Sequence, residues 1–206
     1  MIKKEFIKAL LKEAENYGLN MREKNAESLY LYYRELFIWN KKFNLISEKE
    51  EDRFIERHII DSLSIILKLS IEKNDRVLDL GSGSGLPGIP LAIMLQERKV
   101  DLLESNMKKC VFLRHMKSKL GLENTTVFCE RFEKIYERLD KYNFVLVRGK
   151  RISEKEKEMI MHCLKKHGSL IIYAGVKPNT AVEKSREKVE YLKGIRGRKI
   201  VKINHV

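Results

Sequence analysis

The residues with the most chemistry in them lie in one stretch, Val77-Leu78-Asp79-Leu80-Gly81-Ser82-Gly83-Ser84-Gly85-Leu86-Pro87-Gly88. Glycine and proline are scarce in this chain, 11 and 3 among 206 residues, yet Gly81, Gly83, Gly85, Gly88, Pro87 and Pro90 fall together. A short apolar run enters the stretch and a helical period leaves it, so it reads as strand, turn and helix. Glycine lets the chain turn sharply and approach a ligand with no Cβ in the way, and free N–H groups at a helix start favour an anionic group. One or two glycines suffice for a tight turn. Four imply a ligand held against backbone.

Two cofactor chemistries compete for that loop. Gly83-Ser84-Gly85-Leu86-Pro87-Gly88 satisfies the dinucleotide G-x-G-x-x-G pattern, but Gly81 already occupies the turn directly after the strand, behind Asp79. The D-x-G-x-G-x-G form suits a nucleoside carrying a carboxylate and an amine, such as S-adenosylmethionine, better than a pyrophosphate. No G-K-[ST] follows, which excludes a P-loop. The next apolar run ends Leu102-Leu103-Glu104, placing a carboxylate at the sheet edge beside the loop, where it would accept hydrogen bonds from ribose hydroxyls under either chemistry.

The elements that must position these groups follow from hydrophobic period. Ile2, Phe6, Ala9, Leu10 and Ala14 form one helical stripe and Leu29, Tyr33, Leu36 and Phe37 another, continuing to Trp39; Phe54 to Leu67 reads as a third helix, with His58 and Ser62 interrupting its apolar face. From Arg76 the texture alternates. Arg76–Leu80, Val100–Leu103, Thr125–Cys129, Phe144–Val147 and Ser169–Tyr173 read as strands. Ile89–Gln96, Met107–Leu120, Phe132–Leu139 and Glu154–Lys166 read as the helices between them. Such alternation predicts an α/β fold with a mainly parallel central sheet, because parallel neighbours need crossover connections. Val189–Leu192 and Lys199–Ile203 read as a terminal antiparallel pair around Gly194 and Gly197. The expected division is an N-terminal helical cap over 1–73 packed on a cofactor-binding domain over 74–206.

Composition narrows the partners. The 42 Lys+Arg and 29 Asp+Glu give a formal charge of +13. Up to Asp75 the two signs balance at 14 each; from Arg76 to Val147 they number 12 and 9, and from Arg148 to Val206 they number 16 and 6. The excess therefore concentrates after Arg148, including Gly149-Lys150-Arg151 and Lys193 to Lys199, and suits phosphate contacts. No apolar run approaches a membrane span and the first turns mix acids with bases, so a cytoplasmic chain with no membrane partner is expected. Cys110, Cys129 and Cys163 lack C-x-x-C spacing and are read as reduced core residues, with no zinc or other metal site expected. No heptad or long apolar edge invites a partner copy, and a monomer is expected.

The glycine loop with its Leu86-Pro87-Gly88-Ile89-Pro90 continuation is preceded by Trp39-Asn40, Asn44-Leu45 and Arg57-His58-Ile59-Ile60-Asp61-Ser62-Leu63. In this combination the chain resembles the RsmG (GidB) family, bacterial methyltransferases that modify a guanine N7 in 16S rRNA. The resemblance runs from about Leu29 to Arg148. It implies a class I, Rossmann-like methyltransferase fold using S-adenosylmethionine, with 16S rRNA or the small ribosomal subunit as partner. Residue by residue, it implies that Gly81 and Leu86 contact the cofactor together with Gly83 and Gly85 of the same loop, that Glu104 meets the ribose, and that Phe132 and Glu133 hold the adenosine end. It implies that Arg148 corresponds to the family's R-A arginine near the methyl donor, and Arg148 is expected to contact substrate or cofactor. After that arginine the family carries small residues, whereas this chain reads Gly149-Lys150-Arg151; the family's later L-K-G is matched only by Ala174-Gly175-Val176-Lys177.

Transfer to guanine N7 needs alignment and no general base, because the N7 lone pair lies in the ring plane and is unprotonated near neutral pH. Marks of other methyl transfers are missing. Asn143 to Lys150 holds no cysteine for attack on a cytosine, and the only proline after Pro90 is Pro178, which leaves no Asp/Asn-Pro-Pro-aromatic turn for adenine amines. A methyltransferase for another RNA or a small molecule, and a non-enzymatic RNA-binding protein with a retained nucleoside pocket, are the alternatives. His58 is read as a packed histidine with a satisfied hydrogen bond, and Arg57 with Asp61 as a helix-surface pair.

Overall fold

The computed structural model describes residues 1–174, 189–193 and 199–205. The described residues form a seven-stranded sheet in the order β3-β2-β1-β4-β5-β7-β6. The strands are β1 (Arg76–Leu80), β2 (Lys99–Glu104), β3 (Val127–Cys129), β4 (Tyr142–Arg148), β5 (Leu164–Ala174), β6 (Val189–Lys193) and β7 (Lys199–Asn204). The first five pair in parallel, and β7 inserts antiparallel between β5 and β6. The expected α/β fold, with its parallel sheet and antiparallel pair, is thus the one observed. The Gly194 and Gly197 turn and the basic run around it lie outside the described residues, as does the Gly175-Val176-Lys177 segment.

Both faces of the sheet are apolar, and the two-residue strand period sorts the side chains between them. Val77, Leu102, Leu146 and Ile171 enter one buried cluster; Leu78, Leu103, Val145 and Leu170 enter the other. The first cluster also takes in Phe6, Leu10, Leu29 and Leu36, carried by α1 (Lys3–Asn16) and α2 (Glu23–Phe43), so the N-terminal helices share a core with the sheet. The remaining helices are α3 (Asp61–Leu63), α4 (Gly88–Met94), α5 (Met107–Leu120), α6 (Phe132–Ile135) and α7 (Glu154–Cys163).

Local sequence explains the helix ends. Asn106 Oδ1 accepts hydrogen bonds from the Lys108 and Lys109 N–H groups, and Gly121 ends α5 in the left-handed region at φ 61°. Asn44 ends α2 in the same region, while Asn40 Oδ1 accepts from Leu45 N at 2.7 Å and Ile46 N at 2.9 Å. Asn40, Asn44 and Leu45 therefore work together as a helix stop.

Three expectations change. The segment read as one regular helix is π-helical over Ile55–Ile60, α over Asp61–Leu63 and 3-10 over Ser64–Leu67. Ser62 and Ser64 donate their hydroxyls to the His58 and Asp61 carbonyls, competing with the backbone ladder. The helix read over Glu154–Lys166 stops at Cys163, because Leu164 pairs with Tyr142 at the start of β5. Cys110 and Cys129, read as reduced thiols, form a disulfide. The β2–β3 register sets Cys129 beside Glu104, and Cys110 lies in the first turn of α5 just beyond it, a proximity that their sequence spacing does not reveal. Cys163 is free and buried as expected, and burial pushes its thiol up to about 11.

Candidate cofactor site

The order of the sheet reverses at β1, whose neighbours are β2 on one side and β4 on the other. In open α/β sheets ligands bind beyond the strand ends at such a switch point. The glycine loop leaves β1 there: the N–H groups of Gly81 and Ser82 both donate to the Leu103 carbonyl, at 2.8 and 3.0 Å, tying the turn to β2. Gly81 has φ 78°, a conformation costly for any side chain, and so keeps the backbone bare at the mouth. Gly88 has a different reason to be glycine, since a Cβ there would lie 2.2 Å from Leu102 Cδ2 and 2.7 Å from Asp79 Oδ2.

That close approach lets Asp79 brace the loop. Asp79 is 1% exposed, and its Oδ2 accepts from Gly88 N at 2.9 Å, while its carbonyl accepts from Ser82 Oγ. Burial pushes the Asp79 carboxyl up to about 7, against the opposing pull of the Gly88 and Ser82 hydrogen bonds and the Arg148 charge. Its Oδ1 is buried and meets no donor.

A cleft of about 490 Å³ opens beside the loop, lined by Gly81, Glu104, Phe132 and Glu133 together with Lys150 and Glu156, among others. Glu104 is held rigidly: Oε2 accepts from Gly83 N at 2.9 Å, and Oε1 accepts from Ser105 N and Asn106 N at 2.8 Å each. With two lone pairs per oxygen, Oε1 is filled and Oε2 retains one acceptor position. Phe132 contributes a ring that is 4% exposed, and Glu133 an exposed carboxylate.

Of the eight residues read from the sequence, Gly81, Glu104, Phe132 and Glu133 come together on the cleft walls. Gly83 lies behind as the donor to Glu104, Gly85 packs on Ile89 and Leu113, and Leu86 belongs to the buried cluster. Arg148 points elsewhere. Its guanidinium donates to Ser62 Oγ at 3.1 Å and the Arg57 carbonyl at 2.9 Å, lies 3.3 Å from His58 Nδ1, and pairs with Asp61 Oδ2 at 3.1 Å. Asp61 is therefore the partner of Arg148, while Arg57 pairs with Glu50 at 3.4 Å. His58 is packed and bonded as expected: Nδ1 faces the Arg148 donor, so Nε2 carries the proton donated to Glu50 at 3.1 Å. Burial works to raise the Glu50 carboxyl, but His58 and Arg57 outweigh it and hold it below the usual range.

Lys150 and Glu156 are among the cleft residues that sequence reasoning missed, with Ser105, Glu130, Arg131 and Lys134. Lys150 sits in the divergent stretch after Arg148, and the Ser153-x-x-Glu156 pattern signals only a helix start; neither reveals that α7 begins over the cleft.

Among the described residues no group of three His, Cys, Asp or Glu side chains could hold a metal ion, and no helix is long and apolar enough to cross a membrane. A parallel sheet with a glycine loop and a strand-end carboxylate at its switch point is the architecture of a nucleoside-cofactor site. A solved SAM-dependent methyltransferase from Aquifex aeolicus shares this fold, with a TM-score of 0.56 and 17% identity, over 72% of this chain and 91% of that one. The family model of GidB, rRNA small subunit methyltransferase G, matches residues 25–204, and the chain belongs to that family. A relative named Ribosomal RNA small subunit methyltransferase G from Aquifex aeolicus (strain VF5) is 36% identical over 79% of this chain and 82% of its own length. One of the same name from Ectopseudomonas mendocina (strain ymp) is 44% identical over 60% of this chain, and the match spans 58% of that relative's length.

Proposed function

We propose that this chain binds S-adenosylmethionine in the cleft and methylates N7 of a guanine in 16S rRNA, yielding 7-methylguanosine and S-adenosylhomocysteine. The observation that carries the reading is the single cleft joining Gly81, Glu104 and Phe132 at the switch point of the sheet, in a chain of the rRNA small subunit methyltransferase G family. The residues fit the cofactor. The free lone pair on Glu104 Oε2 accepts a ribose hydroxyl, the Phe132 ring walls the base, and the bare backbone at Gly81 admits the chain beyond the ribose. The cleft volume also falls within the roughly 300–1,000 Å³ usual for small-ligand sites.

The bound cofactor supplies an electrophilic methyl group. The protein's work is to hold the two reactants in line and exclude water, since N7 needs no proton removed. Gly81, Glu104, Phe132 and Glu133 contact the cofactor, while Gly83, Gly85 and Leu86 hold the loop in shape behind them. Arg148 acts as a positioning residue by fixing the Arg57–Ser62 segment against the end of β4. Residues 1–73 serve as a helical cap on the methyltransferase domain, 74–206.

The small ribosomal subunit or its 16S rRNA is the partner, and α5 favours this by its charge. Lys108, Lys109, Arg114 and Lys117 lie on this helix, which carries no acidic residue and starts at Met107, two residues after Ser105 of the cleft, while its Lys119 is paired with Glu35. Such a helix suits a phosphate backbone. The protein acts as a cytoplasmic monomer without a membrane partner. Transfer of labelled methyl groups to rRNA from an untreated source, followed by mapping of the modified base, tests the proposal. Label on a guanine N7 of 16S rRNA is the expected result, and label confined to protein or metabolites would overturn it.

A further inference from the structure

A covalent bond joins two walls of the cleft. The wall that ends β2 carries Glu104 and Ser105; the wall that follows β3 runs from Glu130 to Lys134 and includes Phe132 and Glu133. Cys110 lies in the first turn of α5, six residues beyond Glu104, and Cys129 is the last residue of β3, directly before Glu130. Glu104 and Cys129 face each other in the strand register, so the Cys110–Cys129 disulfide ties one wall to the other. The strand that carries the second wall is short. It has three residues, lies at the edge of the sheet and, among the described residues, pairs with β2 alone. Beyond Cys129 a hydrogen bond from Glu130 N to the Glu104 carbonyl, at 3.1 Å, continues the attachment.

The two sulfurs differ in access. Cys110 is fully buried, whereas Cys129 is half-buried beside Met107, a side chain that is 63% exposed and whose Sδ lies 3.9 Å from Cys129 Sγ. Thiol exchange therefore starts at Cys129. Cys110 then departs as a thiolate at the start of α5, after Lys108 and Lys109, where N–H dipoles and cations stabilise negative charge. Once protonated, its thiol has an acceptor in place, the Glu104 carbonyl at 3.2 Å.

We propose that Cys110 and Cys129 are a reversible thiol modification site that sets how tightly the cleft holds its cofactor. The disulfide holds the two walls together, and reduction by a dithiol loosens them. The proposal rests on S-adenosylmethionine as the ligand of the cleft. A thiolate of the dithiol attacks Cys129 Sγ, the Cys110–Cys129 bond breaks, and Cys110 takes up a proton. The second sulfur of the dithiol then attacks the first in the mixed disulfide and releases Cys129, which is protonated in turn. Two electrons and two protons pass to the protein, the dithiol leaves as a disulfide, and a disulfide oxidant reverses the exchange. Such lability suits a cytoplasmic chain, since disulfides there are usually transient or redox-sensing and not permanent staples.

Calorimetry with S-adenosylhomocysteine on oxidised and dithiothreitol-reduced protein tests the site, with free thiols counted by alkylation in denaturant. Reduction should take the count from one, at Cys163, to three. It should weaken binding about fivefold or more, and reoxidation should restore it. Cys129→Ser should bind like the reduced protein under both conditions, while Cys163→Ala should keep the response. Equal affinity in the two states would overturn the proposal and leave the cofactor reading standing. So would three thiols that persist after oxidant treatment, or a reduced protein that loses its far-UV circular dichroism and so uses the bond only to stay folded. Oxidised protein with no affinity for S-adenosylhomocysteine would overturn both.

Discussion

Asp79 shows how one residue can be legible in type and hidden in role. Its place in the D-x-G-x-G-x-G pattern marks it as part of the loop, yet only the fold shows it 1% exposed and bonded to Gly88 N. Glu104 was readable as a strand-end acceptor, but the three backbone N–H groups that orient it depend on how the chain turns after β1 and β2. Asp79 makes a pH prediction. Its carboxyl titrates at about 7 in the folded protein and near ~4 when unfolded. Between those values the folded chain keeps a proton that the unfolded chain has lost, so stability falls as pH rises and levels off above the folded value. Asn at this position keeps an oxygen for the Gly88 N–H and does not titrate. Urea midpoints at pH 5 and pH 8 should therefore shift relative to each other, with Asp79→Asn gaining on wild type by on the order of 3 kcal/mol at the higher pH. An unchanged gap between the two proteins would show that Asp79 does not titrate in this window.

At the level of elements, strands were easier to read than the helix before the loop. Buried strands leave continuous apolar runs, and β1 was legible to the residue. The stripe from Phe54 to Leu67 satisfies a helical period as well, but period alone does not register serine hydroxyls that bond back to carbonyls, or an arginine from β4 that takes the Arg57 carbonyl. The consequence is a structural role for Arg148. A residue that only touched substrate could be removed without cost to the fold, whereas this guanidinium faces an Asp61 side chain that is 5% exposed. Arg148→Ala should lower unfolding free energy by about 3–5 kcal/mol, the usual effect of removing one member of a buried pair. Adding Asp61→Asn should restore part of that loss, and denaturant unfolding of the single and double variants measures both. If Arg148→Ala unfolds at the wild-type midpoint, the arginine does not anchor this segment.

For the molecule as a whole, alternation of apolar runs with helical periods was enough for a parallel sheet with an antiparallel end, while the insertion of β7 between β5 and β6 had no local signal. The charge of +13 read as a property of the C-terminal stretch, yet α5 adds a basic helix beside the cleft that a division of the chain by segment had averaged away. The same holds for the N-terminal helices. Their neutral composition sets them apart in the sequence, but Leu29 and Leu36 are fully buried in one cluster with Leu102, Phe112 and Leu146. Tyr32 Oη also donates to the Ser84 carbonyl at 2.9 Å, joining α2 directly to the glycine loop. A shared core should unfold in one step. Trp39, the only tryptophan, lies on α2 with its ring 5.6 Å from Phe112 and 4.9 Å from His115 of α5, so its fluorescence follows the N-terminal layer. Far-UV circular dichroism follows the helices and sheet together. The two signals should give one urea midpoint, and Leu36→Ala should move both by the same amount, for a loss of about 2–5 kcal/mol. Two separated midpoints, with only the tryptophan signal moved by the variant, would show instead that the helical layer melts away from the sheet on its own.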